Sequence, residues 1–149
     1  MKKIIINSAI AFIIMMACTV NVSAQTDRPY TDGPLWEVQF VHTKPGMGQQ
    51  YIKNLSEGWV KQMRALKDQG VIMDFKVLGA EPASEHDWDL MLMYEIKNYA
   101  VLDGMDEKME AISKKVFGTS EETEHTQAIS RNDLRVLQGG KLTQELEFK

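Results

Sequence analysis

Four stretches of the chain alternate between apolar and polar residues, and two longer stretches carry an apolar residue at every third or fourth position. The first alternation is "LWEVQFVHT", in which Trp36, Val38, Phe40 and His42 point one way and Glu37, Gln39 and Thr43 the other. A period of two is that of a strand with one buried face. "KPGMG" ends it, with Pro45 where a helix begins. From Met47 to Gln69 the period lengthens. Tyr51, Leu55, Trp59, Met63 and Leu66 form one stripe on a helix of about six turns, stopped by Gly70. "VIMDFKVL" predicts a second strand, with Val71, Met73, Phe75 and Val77 opposite Asp74 and Lys76. After a polar link, "DWDLMLMYEI" predicts a third, with Trp88, Leu90, Leu92, Tyr94 and Ile96 opposite Asp89, Met91, Met93 and Glu95.

Asn98 caps a second predicted helix, whose apolar positions are Val101, Leu102, Met105, Met109, Ile112 and Val116. "GTSEET" interrupts it, Ser120 and Thr123 restart helix towards Leu137, and Gly139-Gly140 closes that segment. "KLTQELEF" then sets Leu142, Leu146 and Phe148 against Thr143, Glu145 and Glu147 in a last strand. The order β-α-β-β-α-β predicts an α+β fold, the ferredoxin-like split βαβ sandwich. Right-handed crossovers give a four-stranded antiparallel sheet in the order 4-1-3-2, with helices on one face. The other face is expected to carry Met91, Met93, Val41 and Gln39 among acids, too apolar at its centre to stay wet. A second copy packed there predicts a homodimer.

The chain opens with "MKKIIINSAIAFIIMMACTVNVSAQ": Lys2 and Lys3, an apolar run, then small residues at Val22-Ser23-Ala24. This reads as a signal peptide over residues 1–24, exporting the protein to the periplasm or the extracellular space. Polar breaks at Asn7, Ser8, Thr19 and Asn21 leave the run short of the ~20 residues of a membrane span. The competing reading makes "MMAC" a lipoprotein site with Cys18 as the anchor. Residues 25–34, with Pro29 and Asp32-Gly33-Pro34, read as a flexible leader, and 35–149 as one domain. A formal charge of −4 and the lack of a basic run exclude an electrostatic footprint for nucleic acid or anionic membrane. Cys18 is the only cysteine, so a chain cut after Ala24 has neither a disulfide nor thiol catalysis.

"WEVQFVHTKPGM", "DWDLMLMYE" and "GGKLTQEL" resemble the dimeric α/β-barrel superfamily, and most of all its uncharacterised exported members. The resemblance covers about Leu35 to Phe148. It implies a dimer whose sheets form a barrel, and brings no catalytic motif with it. Haem occurs in that superfamily, but neither predicted helix has a histidine on its stripe, and His125 lies in polar "EETEHTQ". No cofactor is expected.

Candidate chemistry gathers at strand ends. His42 ends the first strand and Trp88 begins its neighbour, with His86 two residues before. These three are expected to meet at a mouth between sheet and helices, with Trp59, Tyr51 and Tyr94 deeper as a ligand pocket. Either histidine is a candidate general base. Asp87 and Asp89 of "EHDWD" share a face that His86 leaves, so no metal is expected. Glu37 and Glu95 are expected as cross-strand neighbours on the open face. These residues support three readings. The first is a module binding a small apolar or aromatic molecule. The others are a cofactor-independent monooxygenase or isomerase, and a structural or interaction protein without a ligand.

Overall fold

The computed structural model describes residues 28–118 and 130–149. The signal segment with Cys18, the Ser120–Thr123 helix restart and His125 lie outside the described residues. The elements run β1 (Tyr30–Thr43), α1 (Gly48–Glu57), α2 (Trp59–Asp68), β2 (Asp74–Gly79), β3 (Leu90–Ile96), a 3-10 turn (Tyr99–Leu102), α3 (Met105–Phe117) and β4 (Arg135–Phe148). Residues 130–134, just before β4, are helical. The strands form one antiparallel sheet in the order β2-β3-β1-β4. The molecule is α+β, and its four-stranded sheet with helices is consistent with a ferredoxin-like fold.

The faces of β1 are the reverse of those expected. Leu35 pairs with Ile96, Glu37 with Tyr94, Gln39 with Leu92 and Val41 with Leu90. Directly paired residues share a face, so the odd-numbered residues of β1 lie with the core. Leu35 and Ile96 are buried against Met63, Leu66, Ile72, Met105 and Ile112. Val41, Leu90 and Leu92 are buried against Tyr51, Leu55 and Leu134. Trp36, Val38, Phe40 and His42 therefore project from the open face, beside Met91, Met93 and Glu95. The reason is register. β1 is apolar on both faces, and only its pairing with β3 decides which set is covered. Glu37 and Glu95 accordingly lie on opposite faces and are not the expected acid pair.

Several boundaries also move. The single long helix is two, because Gly58 adopts φ −106° and ψ −94° between α1 and α2. The apolar stripe survives the bend, with Tyr51 and Leu55 buried on one side of it and Met63 and Leu66 on the other. Each such side chain contributes about 1.5–3 kcal/mol by leaving water. Asn98 caps the 3-10 turn, its Oδ1 accepting from the Ala100 amide at 3.1 Å. The helix proper starts only at Met105. β4 starts at Arg135, so Gly139-Gly140 lies inside a strand instead of closing a helix. β1 in turn reaches back to Tyr30, which makes residues 30–34 strand and not leader. There β1 pairs with β4 alone, as a two-stranded ribbon ending at Tyr30 and Phe148.

Candidate functional site

The two buried clusters meet at Trp59, which packs against both. Between sheet and helices near this point lies a cavity of ≈ 270 Å³. Gln39, in the middle of β1, belongs to its floor. Gly140, directly opposite Gln39 on β4, adds no side chain there. The bend supplies the next wall, with Leu55, Gly58, Trp59 and Gln62. Ser113 and Phe117 come from α3, and Arg131 and Arg135 close the far side. Among the described lining residues there are two guanidinium groups and no carboxylate.

Arg135 is held by Tyr51. Its Nη1 donates to the Tyr51 hydroxyl at 2.6 Å, and its Cζ lies 5.4 Å from the centre of the Tyr51 ring. The Nε of Arg135 is buried, with no acceptor among the described residues. Burial pushes the Tyr51 phenol up from its ordinary pKa, and the nearby charges of Arg135 and Arg131 oppose that only in part. Tyr94 lies on the same side of the sheet and donates to Glu37 Oε2 at 2.8 Å. Its phenol is held well above the usual range, first by burial and then by the hydrogen bond and charge of Glu37. On the open face, burial raises the Glu95 carboxyl, and the charges of Glu145 and Asp74 add to it.

The six residues expected at one mouth are divided between the two faces. Trp59 lines the cavity, and Tyr51 sits behind Arg135. Tyr94 is engaged by Glu37 and is not a lining residue. Trp88 is on the open face, its ring 5.4 Å from that of Phe40. His42 is on that face too. Its Nδ1 meets the Asp87 carbonyl at 2.7 Å, which requires the proton on Nδ1. His86 is exposed, and its backbone carbonyl accepts from Gln138 Nε2 at 3.0 Å. Neither histidine lines the cavity.

"EHDWD" is a tie between a loop and the end of β1. Asp87 accepts from the amides of Ala83 and Trp88, both at 2.9 Å. Asp89 accepts from the Thr43 amide at 3.0 Å and from the Thr43 hydroxyl. Among the described residues no three His, Cys, Asp or Glu side chains gather as a metal site.

Sequence reading missed Gln39, Gly58, Gln62, Ser113, Phe117, Arg131 and Arg135. One signal for Gln39 was present. Glu37 and Gln39 sit between Leu35 and Val41 on one strand face, a polar middle within an apolar row. Such a middle on a covered face needs partners or a hollow. Gly58 breaking an apolar stripe was a second signal. No protein-family model matches the chain, and no curated protein matches it.

Proposed function

We propose that the protein is an exported binding module that holds a small, partly apolar molecule in the cavity between sheet and helices. The observation that carries this reading is the make-up of the cavity wall. Trp59 and Phe117 offer flat apolar surface, and Gln39, Gln62 and Ser113 offer neutral hydrogen-bonding groups. Its volume of ≈ 270 Å³ is close to the lower end, about 300 Å³, of ordinary ligand sites. An acid–base enzyme needs a group that takes up a proton near neutral pH. None of the described lining residues is a histidine, a carboxylate, a cysteine, a lysine or a tyrosine. Binding is therefore favoured over the monooxygenase or isomerase reading.

The same proposal includes a homodimer built through the open face, in the manner of the dimeric α/β barrels. Trp36, Val38, Phe40, Met91, Met93 and Leu78 share that face across three strands. Lys76 lies over the Trp36 ring at 4.6 Å, and Glu145 accepts from Trp36 Nε1 at 3.2 Å. An apolar middle with both signs of charge around it suits a self-complementary interface.

Native mass spectrometry of the protein purified from its own host, without refolding, tests both parts. The expected species is a dimer carrying a reproducible non-covalent extra mass. Ser113→Trp, which fills the cavity from α3, is expected to stay dimeric and lose that mass. Met93→Glu, which puts a charge in the centre of the open face, is expected to be monomeric, because an unpaired buried charge costs several kcal/mol. Equal extra mass in wild type and Ser113→Trp contradicts the cavity reading. A monomeric wild type contradicts the dimer.

A further inference from the structure

We propose that the cavity takes a small carboxylate on a flat apolar body, with Arg135 as its anchor; this rests on the binding reading above and names the chemical class of the ligand. Arg135 has a charge and more donors than the chain uses. A guanidinium has five N–H groups, and among the described residues only the Tyr51 hydroxyl accepts from it. That contact uses Nη1, and Nε is buried without an acceptor. Burial closes Nε off, so Nη2 is the group left to donate a charge-assisted N–H···O bond to an incoming carboxylate.

No acid of the described chain fills that place. Ion pairs among the described residues join Arg28 to Asp32, Lys67 to Asp74 and Lys114 to Glu110, and none of these three involves Arg135. Two acids on this side of the sheet have other partners: Glu37 accepts from Tyr94, and Asp89 from Thr43. A cation kept partly out of water without a counter-charge is costly, so a site of this kind favours an incoming anion. Arg131 lines the same wall. The chain as a whole is acidic, at −4, so the positive wall is a local feature and not a reflection of overall composition. Tyr51 fixes the guanidinium from behind, by a hydrogen bond to its hydroxyl and by the face of its ring. Trp59 and Phe117 then bound the space for the apolar body. At ≈ 270 Å³ the cavity suits a body of about one or two rings.

Calorimetric titration of the purified protein with benzoate and naphthoate, each beside its uncharged primary amide, is the test. Wild type is expected to bind an acid about tenfold or more tightly than its amide, the effect of one charge-assisted pair. In Arg135→Gln the two are expected to agree within about twofold. Arg135→Lys, which keeps the charge and loses the guanidinium geometry, is expected to keep part of the preference, and Ser113→Trp to bind neither. The comparison in wild type needs no variant to fold. Amide binding as tight as acid in wild type, with both lost in Ser113→Trp, overturns the carboxylate proposal and leaves the binding reading standing. Binding of neither acid nor amide to wild type at millimolar concentration overturns both.

Discussion

Tyr94 and Glu37 form a polar pair on the side of the sheet that otherwise builds the core. The phenol donates to the carboxylate at 2.8 Å, and both burial and that carboxylate oppose loss of the phenol proton. A tyrosine in the unfolded chain ionises near pH 10. A folded-state pKa above that value stabilises the fold fully below about pH 10, and the contribution is lost as pH rises through the folded pKa. Tyr51 is shifted in the same direction, chiefly by burial. Spectrophotometric titration is therefore expected to show part of the tyrosine absorbance ionising late, together with alkaline unfolding. Glu37→Gln removes the negative charge beside Tyr94 and leaves a weaker, neutral acceptor, so its ionisation is expected to move to lower pH while burial still holds it above the ordinary range. An unchanged titration curve in Glu37→Gln contradicts this pairing. The aromatic residues were legible as packed side chains, and Trp59 does line the cavity. Trp88 was not placed correctly: β3 starts at Leu90, so the alternation read back from Leu90 does not reach it, and it packs on Phe40 across the open face.

At the level of elements, existence and type were read well, as were the faces of β2 and β3, while the ends and the face of β1 were not. All four strands and the two helical regions stand where the periodicity put them, because a period of two and a period near 3.6 are distinct signals. The ends failed at glycine. Gly139-Gly140 reads locally as a stop, but a glycine pair inside a strand also marks a bulge. β1 and β4 slip by one residue there: Phe40 pairs with Gly139 and Val41 with Leu137. Gly140 is required by close approach, since a Cβ at that position would lie 2.9 Å from the Val38 carbonyl oxygen. The atom it meets is β1 backbone, which leaves little to give way. Gly140→Ala is expected to lower the unfolding free energy by about 1–3 kcal/mol, the usual cost of overpacking, read as a lower urea midpoint. An unchanged midpoint contradicts the tight pairing of β1 with β4 at the cavity floor. Gly58 had the opposite effect on the sequence reading. The stripe continues through it, so the helix looked unbroken, and the bend that shapes the cavity went unseen.

For the whole molecule, the decisive fact is which side of the sheet the helices cover. β1 offers two apolar sets, Leu35 with Val41 and Trp36 with Val38 and Phe40. The alternation with Glu37, Gln39 and Thr43 put the second set on the core side, and the antiparallel register with β3 selects the first. One choice moves everything that follows. It turns His42 and Trp88 away from the helices, places Gln39 under the bend at Gly58, and makes the open face richer in aromatic side chains than expected. The proposed binding site under the helices and the proposed dimer through the open face would then use two different surfaces. The three tryptophans are divided between them, with Trp59 at the cavity and Trp36 and Trp88 on the open face. Incorporation of fluorotryptophan and titration with naphthoate, followed by fluorine NMR, separates the surfaces most directly. A shift of the Trp59 resonance, with those of Trp36 and Trp88 unmoved, is the expected result. Movement of Trp36 or Trp88 while Trp59 stays still would place the ligand on the open face and contradict the site described above.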